Sequence, residues 1–182
     1  MYNALTNVKA HSQNELVKEE REMNNKIEKL VHTLKQSYNG YPWYGDSLIK
    51  KMSTVNFNIV NKTLPNSNNS IATIIQHMIN WRVFVIEKMI GNQTIDINIV
   101  SKKDWANIII NTELEWTVLI KKLSSTQNKI IEILEEQMVN TDLNNKVTGE
   151  DYSLEYLLNG IIQHDIYHAG QIGLLHAHLK TI

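Results

Sequence analysis

The chain has 182 residues, 42% of them hydrophobic, a formal net charge of −1 and no cysteine. That length suits one domain with a real core. The balanced charge offers no nucleic-acid surface, no apolar run approaches the roughly 20 residues of a membrane span, and neither a disulfide nor a protein thiol nucleophile is available. Met1 to Thr6 lack the basic and apolar regions of a secretory signal, so a cytoplasmic location is expected.

Residues 1–13 are polar and aperiodic and read as a flexible N-terminal tail, leaving 14–182 as a single helical bundle domain. Leu16, Met23, Ile27, Leu30, Leu34 and Tyr38 recur at helical spacing, with Glu and Lys filling the opposite face. Gly40 and Pro42 stop that helix, and Asp46 is placed to cap a short one from Ser47 to Met52. Tyr41, Trp43 and Tyr44 either pack over a bundle end or rim a pocket, with packing the simpler reading. Thr54 to Lys62 adds a turn or two, Leu64 to Asn69 is a loop, and Ser70 or Asn69 caps a helix that ends at Gly91.

Residues 92–111 form a long connection, sufficient for a crossover along a bundle rather than a hairpin. Thr112-Glu113-Leu114-Glu115 is a capping box that opens a third long helix to about Met138, with Ser124-Ser125-Thr126 as a point where it can kink. A polar loop from Thr141 to Asp151 leads to Ser153, which caps the last helix, and that helix runs to about Lys180. Four amphipathic helices without a convincing strand give an all-α fold, a four-helix bundle with long crossover connections.

The chemistry lies in the last helix. His164 and His168 are one turn apart, about 40° around the axis and about 6 Å along it, which lets two imidazoles share one ion. Asp165 stands where the HExxH pattern has its general-base Glu, so a zinc-protease reading fails. His77 occupies an inward stripe with Ile74, Trp81 and Phe84 and is the candidate third ligand. Spacing alone leaves a second reading open, in which two buried histidines and an unrelated third are merely packed. Gln171 shares the face of His164 and either orients a ligand or makes an ordinary interhelical hydrogen bond. Asp165 and Tyr167 point off that face, and His178 lies about 21 Å along the axis from His164, too far to share its ion.

Gly40-Tyr41-Pro42-Trp43-Tyr44-Gly45-Asp46-Ser47-Leu48, Ser70-Ile71 leading to His77 and Trp81, Asp104-Trp105, Trp116, Gly149 to Ser153, and Gln163 to Ile172 together carry a resemblance. Through them the chain resembles the DinB-like (DinB/YfiT-like) family of metalloenzymes, which includes the bacillithiol S-transferases. The resemblance implies a bundle of unusual helix order, often dimeric. It also implies one divalent ion, nickel or zinc, on three histidines matching His77, His164 and His168. On this footing the expected function is metal-dependent transfer of a low-molecular-weight thiol to an electrophile. The alternatives are a metal-dependent hydrolase and a non-catalytic, stress-associated metal-binding bundle. The expected partners are a small thiol, an electrophilic substrate and a second copy of the chain, with no nucleic acid and no membrane.

Overall fold

A computed structural model of the protein describes residues 26–92, 94–95, 104–105 and 108–180. Five α-helices form among them: α1 (Lys26–Asn39), α2 (Leu48–Met52), α3 (Ile71–Met89), α4 (Glu113–Glu136) and α5 (Leu154–Leu179). Two 3-10 turns, Phe57–Ile59 and Asn140–Asn144, lie in the connections, and an isolated Lys146–Ser153 bridge is the sole extended pairing among the described residues. The fold is all-α. The expected tail at 1–13, the expected first helical turns at 14–25 and most of the 92–111 connection lie outside the described residues.

Local chemistry sets most helix ends. Ser70, Thr112 and Ser153 have extended backbones, and their side chains accept from the N–H groups of Thr73, Glu115 and Tyr156. Gly91 follows α3 with φ of 78°, a left-handed conformation open to glycine at little cost. Two boundaries differ from expectation. Ser47, not Asp46, is the N-cap of α2, one residue later than the side-chain preference suggests, and its hydroxyl makes no cap hydrogen bond. In the box before α4, the Glu115 carboxylate takes the N–H of Asn111 at 2.6 Å, one residue upstream of the cap. The serines at 124–125 do not break α4, because Ser124 Oγ donates to the Ile120 carbonyl within the helix.

The long helices form a square. α3 packs against α4 and α5, α1 packs against the same two, and the other pairs lie across the diagonals. Asn61, just ahead of α3, exchanges hydrogen bonds in both directions with the backbone of Ile110, just ahead of α4. Both helices therefore start at the same end of the bundle and run parallel. The chain after α3 must return the whole length of that helix, about 28 Å for its 19 residues, which the long connection achieves. α1 runs antiparallel to α4, since Tyr38 reaches Ser124 while Ile27 reaches Asn140 beyond the far end. Lys26 pairs with Glu155 at the shared N-terminal end of α1 and α5.

Two apolar clusters fill the bundle. One joins Ile71–Ile79 of α3 to Leu119, Leu123 and the C-terminal half of α5; the other joins Phe84–Met89 to Ile130–Leu134 and the N-terminal half of α5. A polar layer separates them. Arg82 is 1% exposed and donates through Nε and Nη2 to Asp165 Oδ2 at 3.1 and 2.7 Å, and through Nη1 to the Leu123 carbonyl. The Tyr38 ring lies 5.0 Å from the guanidinium and its hydroxyl donates to Ser124. Gln127 donates to the Leu34 carbonyl. Every long helix enters this layer.

A buried ion pair that loses one member strands the other charge, at a cost of about 3–5 kcal/mol. Arg82→Ala is expected to lower stability by that amount in urea unfolding, whereas Arg82→Met combined with Asp165→Leu recovers most of the loss. A double variant as unstable as the sum of its single variants would show that the two charges do not act as a unit.

Candidate metal centre

α3 is apolar on nearly all sides: Ile71, Ala72, Ile74, Ile75, Met78 and Ile79 are all buried. A helix of that kind must lie inside the bundle, and its one imidazole goes in with it. His77 is 4% exposed and faces α5. Because α3 and α5 run antiparallel, moving from Arg82 back to His77 corresponds to moving from Asp165 forward to His168. The three histidines thus meet one helical turn from the Arg82–Asp165 pair.

The structure brings all three together. His164 Nε2 lies 3.0 Å from His77 Nε2 and 3.1 Å from His168 Nε2. Nitrogens about 2.0–2.1 Å from one ion at adjacent coordination positions are separated by about 3 Å, so these spacings suit a single divalent ion. The other ring nitrogens settle the tautomers. His77 Nδ1–H donates to the Asp104 carboxylate at 3.1 Å, and His168 Nδ1–H donates to Gln171 Oε1 at 2.6 Å. In neutral rings with Nδ1 protonated, Nε2 keeps its lone pair. Two lone pairs then converge on a third imidazole at contact distance. A neutral His164 can donate its single Nε2 proton to these lone pairs, whereas a cation satisfies all three nitrogens at once, and Nδ1 protons tied back in this way are the partner pattern of metal-bound histidine. His164 Nδ1 is buried without a hydrogen-bond partner; the nearest Asp165 oxygen is 3.8 Å away.

Burial lowers the His77 pKa, partly opposed by the neighbouring Asp104 carboxylate. Burial, reinforced by the charge of His164, pushes His168 down to about 4. Both effects favour the neutral rings that metal binding requires. The His164 side chain keeps 21% of its surface exposed, which opens the cluster to solvent on one side. Three imidazoles with an open side leave coordination positions for water or substrate.

Asp104 and Trp105 come from the long connection. Trp105 stacks on His77 with ring centres 3.7 Å apart and planes 12° apart, and Asn80 donates to the Asp104 carbonyl. Spacing gave no hint of this role, since Asp104 lies 27 residues after the ring it holds. Gln171 does orient a histidine, within its own helix, and its amide donates to the Tyr167 hydroxyl at 3.0 Å. Asp165 turns to Arg82, a partner recognisable in sequence only as one of two cations in a largely apolar helix. His176 lies near Thr54 and His178 near the Leu174 carbonyl, both away from the cluster. Tyr41 and Trp43 are fully exposed, so the packing expected of that aromatic run does not occur, while Tyr44 is 44% exposed. These aromatics rim a shallow surface hollow with His32 and Ile166, apart from the histidine cluster.

The sequence model of the DinB superfamily matches residues 10–172, a span that includes all three histidines. No curated protein and no solved structure matches the chain.

His168 titrates near 4 in the folded protein against an ordinary 6.5, so between those values the unfolded chain binds a proton that the folded one refuses. Stability of the metal-free protein should therefore hold above pH 6.5 and fall as pH drops toward 4. Urea midpoints across this range are expected to fall more steeply in wild type than in His168→Gln. Identical profiles would show that His168 is not held neutral by the fold.

Proposed function

The chain belongs to the DinB superfamily, and from that premise we propose that it is a metal-dependent enzyme that transfers a low-molecular-weight thiol to an electrophilic carbon. The observation that carries this reading is the convergence of the Nε2 atoms of His77, His164 and His168 beside an open side, with the free nitrogens of two rings tied back by Asp104 and Gln171. Nickel or zinc is the proposed ion, since imidazole nitrogens suit both. Bound there, the ion would act as a Lewis acid that favours the thiolate form of a small thiol.

The chain's own residues supply the frame. Asp104 and Trp105 fix the plane of His77, Gln171 fixes His168, and burial keeps both rings neutral. With no cysteine in the protein, the sulfur must come from a cosubstrate. In the reaction the thiol proton passes to solvent, the sulfur forms a bond to the electrophilic carbon, and the leaving group departs with its electron pair. The runner-up reading is a metal-dependent hydrolase. It is favoured less because, among the described residues, the carboxylates of Asp104 and Asp165 beside the cluster are each held through one oxygen, by His77 and Arg82, and their second oxygens are buried. A thiolate needs less help from a general base than water does.

This chemistry needs small thiols kept reduced, which places the proposed activity in the cytoplasm. Among the described residues no helix is long and apolar enough to cross a membrane. The proposed macromolecular partner is a second copy of the chain. The fully exposed Tyr41 and Trp43 support it, being large apolar groups that a monomer leaves in water. Light scattering should then give a dimer mass; a monomer mass at high protein concentration would remove this part of the reading.

Protein purified without a chelating tag is expected to contain one nickel or zinc ion per chain by elemental analysis, and His164→Ala and His168→Ala are each expected to lack it while remaining helical. Adding a small thiol to the loaded protein should release protons and, with cobalt substituted, produce a sulfur-to-metal charge-transfer band. Neither change should appear in His164→Ala. Uncatalysed conjugation rates for every thiol in a panel, with no spectral change, would discard the transfer reading.

A further inference from the structure

The His164 ring has two sides. Its Nε2 meets the other two histidines, while the ring also forms part of the wall of a separate cavity of about 290 Å³. Trp81 and Val85 of α3 and Tyr156, Gly160 and Ile161 of α5 provide most of the remaining wall, with Tyr152 from the preceding loop. Among the described residues, no Lys, Arg, Asp or Glu lines it. Trp81 lies 5.4 Å from His164 and Tyr152 lies 5.3 Å from Tyr156, ring centre to ring centre, so two pairs of rings contribute to the wall. At Gly160, a Cβ would meet no atom within 4 Å. A glycine inside a 26-residue helix forgoes helix propensity, and here the missing side chain leaves space instead of permitting a close helix contact.

We infer that this cavity is a binding pocket for an uncharged aromatic group, the part of the electrophile that selects the substrate; the assignment to the electrophile rests on the transfer reading above. The chemistry of the wall determines the class. An apolar, aromatic-lined cavity of a few hundred Å³ favours a flat apolar ring, which gains both burial and ring–ring contact. A charged group would lose its hydration with no opposite charge among the described wall residues to replace it. A ligand in the pocket lies against His164, so its edge on that side is next to the histidine cluster.

The test uses nitrobenzene and its anionic analogue 4-nitrobenzenesulfonate, titrated calorimetrically into wild type and Gly160→Leu. Nitrobenzene is expected to bind saturably to wild type, at least tenfold more tightly than the sulfonate. Gly160→Leu, which fills the space and raises helix propensity, should weaken it at least tenfold while metal content stays at the wild-type level. In wild type, nuclear Overhauser contacts from nitrobenzene to the Trp81 and Tyr156 rings should locate it independently of any variant. Absent saturable binding, equal binding to Gly160→Leu, or preference for the anion would overturn the pocket. Saturable binding by a protein that conjugates no thiol would leave the pocket standing and overturn only the transfer reading.

Discussion

Arg82 and Asp165 meet in the middle of the bundle, where neither charge has access to water. The desolvation of two such groups is tolerable only if each meets the other in good geometry, and that condition falls on backbone positions as well as on side chains. Here the guanidinium reaches Asp165 through two nitrogens and the Leu123 carbonyl through the third, with Tyr38 against its face. α3 and α5 therefore have one permitted register. Sliding either by a turn would bury both charges against leucine and isoleucine, which flank the layer above and below.

The histidine cluster inherits that register. His77 is just over one turn from Arg82, and His164 and His168 flank Asp165, so the contact that aligns the charges also aligns the imidazoles. Fixing the helices is not sufficient, because an imidazole can rotate about its own bonds. The second constraint comes from the groups behind the rings. Asp104 and Gln171 take the Nδ1 protons of two histidines, and Trp105 lies flat on one of them. Ring planes and tautomers are then set in advance, which would limit the entropy lost on binding an ion there. Buried charge provides the alignment, and the convergent lone pairs would provide the affinity for an ion.

The site and the apolar cavity share a side chain rather than a space. His164 is the least buried of the three ligand candidates and the only one that faces both. A three-nitrogen centre by itself discriminates poorly among small molecules, since any thiol or water can approach its open side. Selectivity has to come from nearby walls of distinct chemistry. The aromatic lining and the absent side chain at Gly160 provide such a wall on the α3–α5 side.

Local chemistry made much of this protein legible from its residues in order. The caps Ser70, Thr112 and Ser153, the glycine after α3 and the apolar periodicity act within a few residues of one another, so the helices they bound can be read from the chain. The His164–His168 pair is legible for the same reason, since one helical turn fixes it. The three-histidine trio needed more: the spacing left His77 as one option, and resemblance to a family singled it out. Tertiary structure alone decided the rest. Asp104 behind His77, Arg82 opposite Asp165, the solvent exposure of Tyr41 and Trp43 and the pocket at Gly160 all depend on how segments far apart in the chain are brought together. Periodicity reports which face of a helix is apolar. It carries no information about what lies opposite that face, because the partner is chosen by the packing of the whole bundle.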